Sequence, residues 1–353
     1  MPLAFEHETK GQRVLFGSGA AAGHLRDEVA RFAALRPLVI AADRQRGLIE
    51  RAGLAGAVRY HRITEHVPVE VAEDARAAAA QADLVIAIGG GSAIGLAKAV
   101  ALTSGLPIIA TPTTFAGSEA TDVWGLTERG QKRTGVDPRV LPRTVVYDAE
   151  LLESLPVELA VASGLNAVAH CVDSMWGPRA DPINAALAMA GLHSLAVGLP
   201  GVVAEADRDA IEQSLYGCYL AAVAFASAGS GLHHKICHVL AGAFNLPHAA
   251  THAIVLPHVL AFNAPYAPRA AEQIAQALGS GDACQGLDEL RARLNAPRAL
   301  RELGLAEDDL AAAAQAILPQ VPAANPRPVE ADTLDRLLRA AWAGDQPRME
   351  SHP

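Results

Sequence analysis

Residues 83–102 read DLVIAIGGGSAIGLAKAVAL, and this stretch decides the fold. The unbroken apolar run from Leu84 to Ile88 is the pattern of a strand buried on both faces of a parallel sheet. Gly89, Gly90, Gly91 and Ser92 follow, and a helical stretch then runs to about Ser104. Glycines let the backbone approach an anion, and a helix N-terminus supplies unpaired N–H groups and partial positive charge. Strand, glycine turn and helix in that order are the context a pyrophosphate site requires. A tight turn alone would account for one glycine but poorly for three and a serine. The stretch predicts a dinucleotide cradle.

On its N-terminal side, residues 12–17, 37–43 and 56–62 read as strands and 69–82 as an amphipathic helix. Gly17, Gly19 and Gly23 lie one residue off the dinucleotide fingerprint and read as a closely packed turn after an edge strand. The strand at 37–43 ends in Asp43, where a carboxylate can take ribose hydroxyls. A helix-cap role fits Asp43 equally well, and the adjacent Arg44 leaves NADH and NADPH both open. On the C-terminal side, the strand at 107–110 runs into TPTTFAGSE, residues 111–119. Its Thr113, Thr114 and Ser118 hydroxyls can bond a pyrophosphate or a nicotinamide amide, or cap the next element. A polar hairpin is expected over 124–136 and a last strand over 141–148. Beyond Pro156 only helical periods remain. The expected fold is an α/β dinucleotide-binding domain, residues 1–153, followed by an all-α domain, residues 154–353.

Composition narrows the function. A net charge of -9 without any basic block argues against a nucleic-acid surface. The opening MPLAFEHETKGQRV has no signal-peptide pattern, and apolar stretches such as 220–228 fall far short of the ~20 residues needed to span a bilayer. Four cysteines without a CxxC pair suit free thiols in a reducing cytoplasm. A cytoplasmic enzyme acting on a small molecule, with neither nucleic acid nor membrane as partner, is expected.

The chemistry concentrates in residues 231–263, which hold six of the 13 histidines, a density that marks a site: His233, His234, His238, His248, His252 and His258. His234 and His238, four apart, share one helix face. Pro247 reads as a helix stop with His248 at the turn. His233 and His258 read as structural, and Cys237 as a packed small residue.

Taken together, GGGSAIGLAK (89–98), PTTFAGSEAT (112–121), NAVAH (166–170), HKICH (234–238) and PHA (247–249) resemble the motifs of the iron-containing (group III) alcohol dehydrogenase family. The resemblance implies a dinucleotide-binding domain, a helical metal-binding domain and an active site in the cleft between them. It places the family's metal ligands at Asn166, His170, His234 and His248. Asn166 stands where the family has its one carboxylate, and Gly95 stands for the Asp of GGGSxxDxAK. A divalent ion binds by carboxylate charge as well as by imidazole, so a bound metal is not expected, although three histidines can hold zinc. With His252, these departures resemble a metal-independent branch of the family that reduces maleylacetate to 3-oxoadipate with NADH or NADPH in aromatic breakdown. By that resemblance His238, with His234 as the alternative, donates the proton. His170, His234 and His248 line the catalytic pocket, while Asn166, His252 and Lys235 bind the dicarboxylate. Asp43, Gly89, Gly90, Gly91, Ser92, Thr113, Thr114 and Ser118 hold the cofactor. A homodimer is the family's expectation. The rival readings are a zinc- or iron-dependent alcohol or aldehyde oxidoreductase, a lyase related to dehydroquinate synthase, and a non-catalytic nucleotide-binding module.

Overall fold

The computed structural model describes residues 4–128 and 131–347. The chain forms two compact units, one spanning Lys10–Leu155 and the other Pro156 onward together with the residues before Lys10. This N-terminal segment, assigned on sequence to the α/β domain, belongs to the helical unit. His7 Nδ1 anchors it there, 2.8 Å from Asp181 Oδ2.

The first unit runs β1 (Arg13–Phe16), α1 (Ala21–Arg31), β2 (Pro37–Ala41), α2 (Arg46–Arg51), β3 (Val58–Tyr60), α3 (Val69–Ala78), β4 (Leu84–Gly89), α4 (Gly91–Ser104) and β5 (Ile108–Pro112). The hairpin β6 (Val123–Glu128) and β7 (Gln131–Val136) and the strand β8 (Thr144–Tyr147) complete it. Six strands form a parallel sheet in the order β1-β8-β5-β4-β2-β3. Strand alternation sends Leu38, Ile40, Val85 and Ala87 to one face, against α3 and α4. It sends Val39, Ala41, Leu84, Ile86 and Ile88 to the other, against α1 and α2. The chain therefore leaves β2 toward one face and β4 toward the other. Their carboxyl ends flank the crevice in which open α/β sheets bind ligands.

The second unit is helical, and no strand occurs among its described residues. It comprises α5 (Val157–Ser174), α6 (Pro182–Glu205), α7 (Arg208–Ala228), α8 (Leu232–Ala243), α9 (His248–Asn263), α10 (Pro268–Leu278), α11 (Ala283–Arg293), α12 (Leu310–Ile317) and α13 (Ala331–Ala343). α6 corrects the reading of short apolar stretches: it continues through Pro200 to 24 residues, with a mean hydropathy of 1.7 over its most apolar window. Half of that window is buried against its neighbours, as in a core helix. Where α6 crosses α7, a Cβ on Gly191 would meet Gly217 O at 3.0 Å, so the close approach needs glycine. The apolar faces of α8 and α9 (Leu232, Ile236, Leu240, Ile254, Val255, Val259) pack with α12 and α13 into one core.

Candidate active site

In the α/β unit, the N-terminus of α4 is capped by Gly90 with no side chain taking its N–H groups. Gly89 O accepts a hydrogen bond from Thr113 N at 3.1 Å, which ties the glycine turn to the threonine loop. A Cβ on Gly90 would fall 2.8 Å from Thr114 Cγ2. Thr113 Oγ1 is buried without a partner among the described residues. A backbone cradle that a Cβ would fill, beside an unpaired buried hydroxyl, fits a dinucleotide's phosphates. Asp43 stands exposed just past β2 and pairs with Arg59 at 3.2 Å. Ser92 lies in the first turn of α4. Gly90→Ala should raise the KM for NADH roughly tenfold or more, because the new methyl pushes Thr114 into the space the phosphates need. Titration of intrinsic fluorescence with NADH reads the change directly, and an unchanged affinity would remove the cradle from this turn.

The sequence reading missed the buried cation that shapes this loop. Lys98 Nζ donates to Ser118 O (2.6 Å), Thr121 O (2.8 Å) and Val123 O (2.9 Å). Burial pushes its ammonium down to about 7 against the pull of Glu119 and Asp122. Ser118 is thus held through its carbonyl. Gly95 also finds a reason: Val67 Cγ2 lies 3.1 Å from where a Cβ would stand, so Val67 fills the space a longer side chain would take.

In the helical unit, α5, α8 and α9 bring histidines together. Asp173, fully buried on α5, accepts from Gly231 N (3.0 Å), His234 N (3.2 Å) and His234 Nδ1 (2.7 Å). One carboxylate therefore caps α8 and orients the His234 ring. Burial raises this carboxyl to about 7, against the lowering effect of those N–H groups. His170 stacks on His234 at 4.9 Å between ring centroids, and Phe225 closes on both. His238, half-buried one turn along α8, stacks with His248 at 5.8 Å. His252 is fully buried, with Nδ1 2.8 Å from His233 Nε2 and Nε2 3.2 Å from His248 Nε2. Asn166 lies one turn before His170, and Lys235 stands half-buried on α8. His258 is apart from the cluster, beside Arg291.

Two corrections follow. Pro247 does not leave His248 in a turn; it precedes the first residue of α9, so His248 and His252 are themselves four apart on one helix. His233, read as structural, is hydrogen-bonded into the cluster through His252. Asp173 was missed, although its spacing three residues after His170 on a helix was a usable signal.

Burial holds these imidazoles neutral: His170 and His258 are pushed down to about 4 and His233 to about 3. In the unfolded chain each takes up a proton near the ordinary value of 6.5. The unfolded state then binds more protons between about 6.5 and about 3, so stability falls as pH drops through that window. Urea midpoints should decrease steadily on acidification from neutrality. A flat profile would contradict the burial of neutral rings.

Residues 11–149 match the family described as "Iron-containing alcohol dehydrogenase" and residues 160–342 match "Fe-containing alcohol dehydrogenase family, C-terminal". The chain belongs to the iron-containing alcohol dehydrogenase family. This makes it a nicotinamide-dependent oxidoreductase. A maleylacetate reductase of Burkholderia cepacia is 44% identical to it, over 98% of this chain and 99% of the relative. Among solved structures, an iron-containing alcohol dehydrogenase from Corynebacterium glutamicum superposes with a TM-score of 0.96 at 53% identity, covering 99% of this chain and 100% of that one. Maleylacetate reductase from Agrobacterium tumefaciens gives 0.91 at 39% identity, covering 98% and 100%.

The family's iron tests the donor set. His234, its Nδ1 on Asp173 and its Nε2 unpartnered, is oriented as a metal-bound imidazole would be. His170 Nδ1 is likewise buried without a partner beside it. Asn166 is neutral, and His248 Nε2 lies against His252 Nε2 at 3.2 Å. Among the described residues, the group of histidine, cysteine and acidic side chains whose ligand atoms lie within 4.8 Å of one another is His233, Cys237 and His252, which contains none of the family's ligand positions. At the family position the one carboxylate ligand is absent, which leaves three imidazoles, those of His170, His234 and His248.

Proposed function

We propose that the protein reduces the carbon–carbon double bond of maleylacetate to 3-oxoadipate with NADH or NADPH, in the breakdown of aromatic compounds, and that it does so without a bound metal. The observation that carries this reading is Asn166 at the position of the family's one carboxylate ligand, beside a buried imidazole cluster, in a chain 44% identical to a maleylacetate reductase.

Maleylacetate is a 2-ene conjugated to a 4-ketone. A reduced nicotinamide cofactor, whose phosphates the glycine turn would hold, would supply the hydride that C2 of the substrate takes. The electron pair of the double bond moves onto the ketone oxygen as an enolate, and a proton delivered to C3 completes the reduction. Preorganised donors stabilise such an oxyanion in a water-poor site. His170 and His248 serve as those donors, with His234 fixed among them by Asp173. His238, half-buried at the edge of the cluster, delivers the proton. Asn166 and Lys235 receive the carboxylates of the dianionic substrate. In the α/β unit, the backbone at Gly89, Gly90, Gly91 and Ser92, with Thr113, Thr114 and Ser118, binds the cofactor's phosphates, and Asp43 takes ribose hydroxyls.

The test is loss of reduced-nicotinamide absorbance on addition of maleylacetate, with and without EDTA. Consumption that the chelator leaves unchanged supports the reading. Loss of activity in EDTA returns the zinc- or iron-dependent mechanism of the family's alcohol and aldehyde oxidoreductases, which the metal-like orientation of His234 favours. No consumption at all removes the substrate.

A further inference from the structure

The loop that follows β5 closes on a buried cation. Lys98, midway along α4 and fully buried, aims Nζ at the carbonyl oxygens of Ser118 (2.6 Å), Thr121 (2.8 Å) and Val123 (2.9 Å), with the Thr121 hydroxyl at 3.0 Å. Carbonyls can only accept, and an ammonium has three N–H groups to give them, so the charged lysine satisfies this cage. Among the described residues no carboxylate pairs with it directly. Glu119 takes the Tyr147 hydroxyl at 2.7 Å, and Asp122 takes Lys10. A buried cation held by the main chain of one loop fixes the path of that loop. The other end of the loop is tied by Thr113 N to Gly89 O at 3.1 Å. Between the two ties Phe115 is fully buried, and Gly117 turns the backbone with a φ of 75°.

We infer that Lys98 is a positioning residue for the cofactor: its ammonium sets the backbone from Ser118 to Val123 and so holds in place the loop that carries Thr113, Thr114 and Ser118. The inference rests on the assignment of that loop to the dinucleotide. One helix then does two things. The start of α4 offers backbone N–H groups at the glycine turn, and about two turns on it supplies the cation that orders the neighbouring loop. An apolar side chain of similar length would fill the same space but leave those carbonyls without their donor, so the loop would turn them toward water and lose its order. With lysine in place the loop is set before the cofactor arrives, and its ordering does not subtract from binding.

Hydrogen exchange on the unliganded parent tests this without any variant. Ala120 N and Thr121 N bond to Gly117 O and Ser118 O at 3.1 and 3.3 Å, so both amides should be protected in the absence of NADH. Protection that appears only once NADH is added overturns the inference. Lys98→Met should speed exchange at these two amides while β4 and α4 keep their protection. It should weaken NADH binding roughly tenfold or more in a fluorescence titration and leave kcat at saturating NADH within about twofold of the parent. Unchanged affinity overturns the inference. So does a loss of protection throughout the α/β unit, which would make Lys98 a general core residue. Thr121→Val removes one oxygen from the cage and keeps the lysine, so it serves where the methionine variant does not fold. Its NADH affinity should fall roughly threefold, the scale of one hydrogen bond, with faster exchange at Ala120, and no change in either overturns the inference. If the parent does not bind NADH, the cofactor assignment falls, and exchange at Ala120 and Thr121 still decides whether Lys98 orders the loop.

Discussion

Asp173→Ala should cost the fold about 3–5 kcal/mol and lower kcat by roughly 100-fold or more. The reason lies in what one buried carboxylate does at once. Gly231, the N-cap of α8, has no side chain to offer, and the carboxylate arriving from α5 takes the N–H groups of Gly231 and His234 in its place. A Cβ at Gly231 would come within 2.6 Å of Asp173 Oδ1, so the glycine and the acid are fitted to each other. Alanine leaves those donors buried and unpaired, each at a cost of about 1–3 kcal/mol, and releases the His234 ring. Asp173→Asn separates the two roles. Its amide oxygen still accepts from the helix N-terminus, so the urea midpoint should stay near wild type. The ring loses its carboxylate and with it the fixed tautomer, a loss that reaches about 10⁴ in kcat for a triad histidine. If the alanine variant melts like the parent, Asp173 does not hold α8. If the asparagine variant turns over normally, His234 does not need its partner.

The α/β half was legible because its signals are local. Continuous apolar runs such as Leu84–Gly89 mark strands covered on both faces, and β4, α4 and the β6–β7 hairpin fall close to where the patterns place them. Even the edge position of β1 was visible in its mixed composition. What was not legible depends on contacts distant in sequence. Lys98 reads as an ordinary helix lysine until the carbonyls of Ser118, Thr121 and Val123 are seen around it. The substitution of Gly95 has no meaning without Val67, nearly thirty residues earlier in the chain, filling the space beside it.

Proline misled the helical half in a consistent way. A proline inside a helix normally breaks it, because the ring removes an N–H and clashes with the preceding turn. Yet α6 passes through Pro200 and α9 through Pro257. Both lie in helices whose apolar residues are buried on several sides, and tertiary packing overrides the local cost. Reading Pro247 as a stop hid the second i,i+4 pair, His248 and His252, which a start at Pro247 would have exposed, since proline is well suited to the first positions of a helix. The density of histidines located the site. Their grouping, and the choice of Asp173 as the orienting acid, required the packing of α5 against α8 and α9.

His238→Asn should lower kcat by roughly 100-fold while leaving the KM for NADH unchanged, the range expected when a positioned general acid is removed. Of the clustered rings, His170, His233, His234 and His252 are buried and held neutral by desolvation, so none can readily gain and lose a proton near neutrality. His238 is half-buried, stands one helical turn beyond His234 and stacks with His248 at 5.8 Å. It therefore joins contact with the cluster to access to solvent, from which it can be reprotonated after each turnover. Asparagine retains a polar side chain at the same helix position, so the urea midpoint should change little. The decisive readout is the pH dependence of kcat. In the parent, activity should decline as pH rises past the point where the donor loses its proton, and in the variant the residual activity should no longer show that limb. Retention of the parental profile in His238→Asn would move the proton donor to another group.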